Sequence, residues 1–594
     1  MQNFKRSHTC GCLNTFHVGK DVILSGWVHR HRDHGFLIFI DLRDRYGITQ
    51  LIVDSKTSQK LYQKAQKLHG EWIISVKGTV FLRNEKNPKL ATGEIEVRVK
   101  QLEILSKSRP LPFSISEEDL TVKEEVRLKY RYLDLRRKEL KSKLITRSIA
   151  MQAARTFLSK NGFIEINTPI LSKSTPEGAR DYLVPSRIYG GNFFALPQSP
   201  QIFKQLLMIA GMDKYFQIAT CLRDEDLRAD RQPEFSQIDI EMSFSSQEEL
   251  FPLCEKLIQT IFSNCQKECI ALPFSKLSYT ECMEKYGTDK PDLRFGMELI
   301  RLDEIMKNSS FPIFKEKLDK NCIIKGLCVK GGADFSRKDI DSLQEIVKIF
   351  GVETLFWMKK TGDGFTSSLI KFFSPALLEK LTQAMEIDTG DIVFFAAEKE
   401  KMLNMGMDKL RRHLAKIRNL IKDNDYHFLW VTDFPMFNID EETNKIKSEH
   451  HPFTSPHLND IHLLDTNPLQ VRALSYDLVC NGYEIASGSQ RIHESSLQEK
   501  IFTILQLSEE DKKIKFGYFL EALSFGAPPH LGIAFGLDRI MMILTNTENI
   551  RDVIAFPKTQ KASDLMMQAP SPSSPKQLKE LKIKIEEKEN IFWP

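Results

Sequence analysis

No apolar run in this 594-residue chain approaches membrane-spanning length, so the sequence carries no mark of a transmembrane helix. Residues 1–14 are basic but lack the apolar core and small-residue cleavage site of a secretory leader, and a cytoplasmic protein is the expectation. The ten cysteines are scattered singly, apart from Cys10 with Cys12 and Cys265 with Cys269, and neither spacing is that of a zinc ribbon. Buried or free thiols are therefore expected. What is present is an ordinary soluble composition, 41% hydrophobic, in a chain long enough for three or four domains.

The net charge of +5 is unevenly spread: residues 1–107 hold 18 Lys and Arg against 10 Asp and Glu, which makes that segment +8 and the remainder −3. A local basic excess suits a module that touches a polyanion, and a solvated basic face fits the count equally well. Within the segment, residues 21–29, 35–44, 48–54, 71–81 and 94–105 read as short strands and 56–68 as one helix, the order of an OB-fold barrel. Alternation sends Ile38, Ile40 and Leu42 to the core and turns Phe39 outward beside Leu37 and Asp41. An outward aromatic on a basic face is a platform for an unpaired base; a single exposed aromatic is also common.

Residues 108–134, with Pro110 and Pro112, read as a hinge. Ile145, Ile149, Ala153 and Phe157 then recur at helical spacing until Asn161-Gly162 ends the helix. The stretch 220–243 reads as two strands around a loop crowded with both signs of charge. Its second strand alternates Phe235, Gln237, Asp239 and Glu241 with Ser236, Ile238, Ile240 and Met242. A polar face of that kind on a central strand must look into a site. Further on, Asp477 and Glu484 suit Mg²⁺, which takes one or two carboxylates together with waters and nucleotide phosphates. The adjacent His450 and His451 lack a third ligand at metal spacing and read as contacts to substrate or phosphate.

Three ordered stretches carry a resemblance. Arg223-Asp224-Glu225, with its charged loop and returning strand, fits the second signature motif of class II aminoacyl-tRNA synthetases. Residues 532–539, ending Gly536-Leu537-Asp538-Arg539, resemble their third motif, and the helix running into residues 163–169 their first. Residues 175–187, 196–205 and 223–235 narrow the similarity to bacterial-type aspartyl-tRNA synthetases, over nearly the whole chain. The expected fold is accordingly α+β and multidomain. It comprises an N-terminal OB-fold anticodon-binding barrel (1–107), a hinge (108–134) and a class II catalytic domain in two halves (135–285 and 423–560). That domain has a mainly antiparallel sheet flanked by helices and is interrupted by an inserted α+β domain (286–422) holding Gly332-Ala333-Asp334; a C-terminal extension (561–594) completes the chain.

The resemblance also implies roles for residues. Lys204 and Arg491 would meet the side-chain carboxylate of L-aspartate, while Glu177, Ser199, Gln201 and Asp239 hold its ammonium end and Arg223 and His450 also contact it. ATP would meet Arg223 at the α-phosphate, Arg539 at the γ-phosphate and Phe235 under adenine. Asp224, Glu225, Gln232, Glu484, Gly536, Leu537 and Asp538 complete that site, with Mg²⁺ on Asp477 and Glu484. Arg223, Glu225 and Arg539 would be the catalytic set. The glycines from Gly532 to Gly536 would let backbone approach the nucleotide.

In the barrel, Arg32, Phe39, Gln50 and Glu96 would grip the anticodon. His34, which stands where enzymes restricted to one tRNA typically have Leu, resembles the non-discriminating subgroup that also aspartylates tRNA(Asn). A homodimer built on the 145–157 helix is implied, and for a non-discriminating enzyme a tRNA-dependent amidotransferase as well. The competing readings are an enzyme restricted to tRNA(Asp), an asparaginyl-type enzyme, and a non-catalytic RNA-binding paralogue. Lys204 and the Gly332-Ala333-Asp334 insertion argue against the asparaginyl type, and the complete set of charged site residues against the paralogue.

Overall fold

The computed structural model describes residues 5–115, 122–174, 178–266, 269–422 and 424–586. The chain divides into two compact units, 1–119 and 120–594. The first is a closed barrel. Strands β1 (Asp21–Asp33), β2 (Leu37–Arg43), β3 (Ile48–Asp54), β4 (Ile73–Leu82) and β5 (Ile95–Ser106) are joined in the order β1-β2-β3-β5-β4, and helix α1 (Gln59–Gln66) lies between β3 and β4 in the chain. Inward positions recur every second residue. Val22, Leu24 and Val28 meet Ile38, Ile40, Leu42, Leu51 and Val53 in one core, so the alternation read in the sequence is the packing that closes the barrel.

The second unit is built on an eight-stranded sheet. Its strands are β6 (Ile164–Glu165), β7 (Lys214–Leu222), β8 (Glu234–Ser243), β9 (Ser275–Ser278), β10 (Phe428–Thr432), β11 (Ser475–Cys480), β12 (Tyr483–Gln490) and β13 (His530–Gly536). They lie in the order β9-β10-β11-β12-β13-β8-β7-β6. Only the outermost pairs, β9 with β10 and β6 with β7, are parallel. Five helices position the site or brace the sheet: α2 (Lys138–Lys160), α3 (Gln201–Ile209), α4 (Gln247–Gln266), α5 (Glu400–Ile417) and α6 (Leu537–Leu544). One sheet face is apolar. Ile238, Ile240, Ile533 and Phe535 pack against Ala150, Ala154 and Leu158 of α2 and Leu250, Leu257 and Ile261 of α4. The other face is polar and carries a cleft.

The apolar stripe read along α2 is split: Ile145 and Ile149 are 38% and 40% exposed, whereas Ala153 and Phe157 turn inward with Ala150, Ala154 and Leu158. Small alanines on the inner side let α2 approach α4 closely. The stretch expected to be a hinge is, from Glu124, two short helices fixed to the second unit. Arg131 donates to the carbonyls of Arg551, Ile554 and Ala555, and Glu124 pairs with Arg551 at 2.7 Å. The inserted segment forms its own five-stranded sheet, whose Ile392–Glu398 strand is buried along its whole length, with α5 packed on it. None of the ten cysteines, all among the described residues, is in a disulfide. Among the described residues no helix is long and apolar enough to cross a membrane.

Candidate active site

The polar face of β8 is the floor of a cleft of about 340 Å³, a size suited to small molecules. At its deepest point four charged side chains form one buried cluster. Lys204 of α3 lies 3.0 Å from Asp239 and 3.2 Å from Glu241. Arg491, just beyond β12, donates to both oxygens of Glu241 at 2.9 and 3.2 Å. All four are at most 2% exposed. Burying one such charge alone is prohibitive, so two cations and two anions in contact are what makes the arrangement tolerable. Burial pushes the Asp239 carboxyl up despite Lys204. Burial acts on Glu241 in the same sense, but Arg491 and Lys204 outweigh it and its net shift is down. Arg491 also donates to His451 at 2.7 Å, and burial together with Arg491 holds that imidazole well below its ordinary value, hence neutral.

Glu241 has its place because of a glycine. Gly532 sits opposite it on β13, and a Cβ there would stand 1.7 Å from a Glu241 carboxylate oxygen. The expectation that Gly532 admits nucleotide is thereby corrected: its missing side chain is filled by Glu241. Gly536 is different, since nothing lies nearer than 3.8 Å to a Cβ built there, on a residue that lines the cleft.

Two polar atoms at the floor are buried with no hydrogen-bond partner among the described residues, Oδ2 of Asp239 and Nε2 of Gln201. Both residues line the cleft beside Ser199, and groups of this kind mark where a polar ligand is needed. Above them the cleft is lined by charges of both signs. Arg223 rests with its guanidinium 5.0 Å over the Phe235 ring, its buried Nε likewise unpartnered among the described residues. Arg539, in the first turn of α6, donates to the Glu484 carbonyl at 2.9 Å and lies 3.4 Å from Asp230. Glu225 is paired with Arg231 at 3.0 Å.

On the adjacent β11–β12 hairpin, Asp477 and Glu484 act on one another electrostatically. Burial pushes the Asp477 carboxyl up, with Glu484 adding to it. Burial alone would raise Glu484 too, but Lys290 and Arg539 bring it down. Asp477 Oδ1 is buried, has no hydrogen-bond partner among the described residues, and stands 3.8 Å from His450 Nε2. His450 shifts up: burial opposes the charge, but Asp477, Glu449 and Glu484 outweigh it. An orphaned buried carboxylate oxygen beside a second carboxylate fits a hard divalent cation.

Several residues expected at the site have side chains or backbone engaged within the protein, Asp538 and Gln232 while lining the cleft. Asp538 lines the cleft but its carboxylate is committed to Arg147 of α2 and to the backbone N–H of Ser236 at 2.7 Å, so it ties the start of α6 to α2 and β8. Gln232 has both ends of its amide bonded to the Lys558 backbone, at 2.8 and 3.1 Å. Leu537 is fully buried in the core, and Asp224 is occupied through its backbone with Arg180, outside the cleft lining among the described residues. Glu177 lies outside the described residues. The sequence alone assigns no role to Glu241 or Lys290. The alternation of β8 puts Glu241 on the face that looks into a site without giving it a role; nothing local marks Lys290.

In the barrel unit the candidate RNA-binding residues share one face of the strands, on which Gln50 and Glu96 are buried. Arg32 sits directly opposite Phe39 and pairs with Asp41 at 3.1 Å; Asp41 in turn faces Gln50, which reaches Glu96 at 3.5 Å. Burial raises the Glu96 carboxyl, against Arg98 and Arg83. The His34 ring meets Phe39 edge-on, centroids 5.4 Å apart. Phe39 itself is half-buried.

Residues 123–560 match the sequence family described as tRNA synthetases class II (D, K and N), and residues 22–105 match the OB-fold nucleic acid binding domain. The chain is 59% identical to the aspartate–tRNA(Asp/Asn) ligase of Protochlamydia amoebophila, over 98% of each chain. It is 56% identical to the enzyme of the same name from Chlamydia caviae, over 98% of this chain and 99% of that one. Among solved structures it resembles asparaginyl-tRNA synthetase from Pyrococcus horikoshii complexed with asparaginyl-adenylate, with a TM-score of 0.59, 19% identity, and 93% of this chain and 98% of that one covered. That likeness bears on the fold alone.

Proposed function

Because the chain belongs to the class II tRNA synthetases of the D, K and N group, we propose that it ligates L-aspartate to tRNA(Asp) and to tRNA(Asn) through an aspartyl-adenylate. The observation that carries the choice of amino acid is the buried Lys204–Glu241–Arg491 arrangement. Glu241 fixes both cations in place without using all their donors, leaving a rigid, cationic end for a second carboxylate. Asp239 and Gln201, with their unpartnered atoms, and Ser199 suit the ammonium end.

In the first step the α-carboxylate of aspartate attacks the α-phosphorus of ATP, forming the mixed anhydride as the bond to pyrophosphate breaks. Two anions must meet, so the chain's work is to hold them in line and offset their charge. Arg223 serves the α-phosphate and Arg539 the γ-phosphate, and Phe235 gives adenine an aromatic face. Mg²⁺, held by Asp477 and Glu484, would supply Lewis-acid neutralisation of phosphate charge. In the second step a terminal ribose hydroxyl of the tRNA attacks the activated carbonyl, its proton is lost, and AMP leaves. That step needs alignment more than a strong base.

The barrel is assigned to the anticodon, with Phe39 stacking and Arg32, Gln50 and Glu96 at base edges. The exposed Ile145 and Ile149 of α2 support a homodimer. A cytoplasmic location accords with the role in translation. If tRNA(Asn) is charged, an amidotransferase must convert the attached aspartate.

Aspartylation of tRNA(Asp) and tRNA(Asn) transcripts by wild type and His34→Leu tests the reading. Charging of both by wild type, with the variant losing tRNA(Asn) selectively, is expected. Charging of tRNA(Asp) alone would refute the wider specificity, and charging of neither the enzyme assignment.

A further inference from the structure

The inserted segment 286–422 reaches the nucleotide end of the cleft at one point. Lys290, on a stretch near the start of that segment, places its ammonium 2.7 Å from Glu484. That stretch is held by consecutive arginines of α5. Arg412 is aimed by Asp408 at 2.9 Å, donates to the Lys290 carbonyl at 2.6 Å, and reaches the Gly482 carbonyl in the β11–β12 turn at 3.3 Å. Gly482 has φ +85°, and a Cβ there would lie 2.1 Å from the Arg412 guanidinium, so the turn is shaped to receive it. Arg411, fully buried, donates to the carbonyls of Asp292, Gly296 and Met297, with its guanidinium 4.8 Å from the Tyr286 ring and 4.4 Å from the Phe295 ring. One helix of the insertion therefore grips both the hairpin that carries Asp477 and Glu484 and the segment that carries the lysine paired with Glu484.

We propose that Lys290 is a positioning residue for the nucleotide site: a built-in counter-cation that holds Glu484 and competes with a free divalent cation for that carboxylate. The inference rests on the assignment of Asp477 and Glu484 as the cation-holding pair. Its physical content is competition for one anion. With Lys290 in place the two carboxylates are partly neutralised, so a divalent ion arriving alone gains less, and stable uptake depends on the phosphates that arrive with ATP. The insertion, through Arg412, fixes the distance over which that competition operates.

The test is Mn²⁺ binding to the full-length protein without ATP, followed by the electron paramagnetic resonance of free Mn²⁺, in wild type, Lys290→Met, Lys290→Arg and Glu484→Gln. Lys290→Met is expected to bind Mn²⁺ about tenfold more tightly, a coupling of ordinary size, and Lys290→Arg to stay within about twofold of wild type. A gain in affinity is not what a merely damaged structure produces. Should Lys290→Met fail to fold, Lys290→Gln keeps a donor for Glu484 without the charge and is expected to show the same gain. Unchanged affinity in the neutral variants, with Glu484→Gln weakened, overturns the role of Lys290 alone. Unchanged affinity in Glu484→Gln overturns the cation assignment and the proposal with it.

Discussion

Replacing Lys204 by Met removes one cation from a cluster whose charges otherwise cancel, leaving Arg491 to face both Asp239 and Glu241. Glu241 keeps its two bonds to Arg491, whereas Asp239 loses the only cation within 4 Å that pairs with it among the described residues. Loss of one partner from a buried pair typically costs about 3–5 kcal/mol. The lower end applies, because Asp239 already has its carboxyl pushed up by burial and can take a proton instead. A pH dependence results. A carboxyl that binds its proton more tightly when folded than unfolded contributes stability at low pH, and that contribution is lost as pH rises. The deficit of Lys204→Met in thermal melts is therefore expected to be larger at about pH 8 than at about pH 5.5. For catalysis the variant presents a floor one cation short to a substrate with a second carboxylate, and a polar mismatch of this kind costs up to about 10⁴-fold in kcat/KM. Aspartate-dependent ATP–pyrophosphate exchange on the folded variant is the assay. Exchange within about tenfold of wild type would refute the assignment of Lys204 to the carboxylate pocket.

Phe39→Ala is expected to lower kcat/KM for tRNA charging by the worth of one stacked base, about 1–3 kcal/mol, while leaving pyrophosphate exchange at the wild-type rate; equal loss of both would contradict the separation of roles. Gly532→Ala would drive Glu241 from both cations, since its Cβ falls 1.7 Å from Glu241 Oε2 and 2.4 Å from the Ile240 carbonyl oxygen. Overpacking of this kind costs about 1–3 kcal/mol, and a lowered melting temperature with exchange down about 100-fold is the expected outcome.

The legible parts of this protein are those where the signal is local. The two-residue alternation of β2 and β8 tells core from outward face correctly at Phe39 and at Asp239, because strand geometry is periodic whatever surrounds it. Lys204, Arg223, Arg491 and Arg539 are recognisable through motif wording, and all four line one cleft. Long-range partnership is not legible. Lys290 meets Glu484 across 194 residues of sequence, and no spacing rule connects them. Residue type does not reveal that Asp538 and Gln232, which both line the cleft, also close bonds to Ser236 and Lys558. On α2 the spacing does not say that Ile145 and Ile149 turn outward while Ala153 turns in; Ala150, Ala153 and Ala154, which carry little hydrophobic signal, pack on the inner face.

The electroneutrality of the four-residue floor has a kinetic side. Two buried cations cancelled by two buried anions present almost no monopole to the solvent, and the rim is balanced in the same way, Arg231 by Glu225 and Arg539 by Asp230, with Arg223 and Glu484 bordering the same cleft. An approaching aspartate is therefore steered weakly, and dissolved ions screen what field remains over about 8–10 Å, whereas the choice between a carboxylate and an amide is made at contact, among groups buried from solvent. Raising ionic strength is expected to alter arrival little and to leave selectivity untouched.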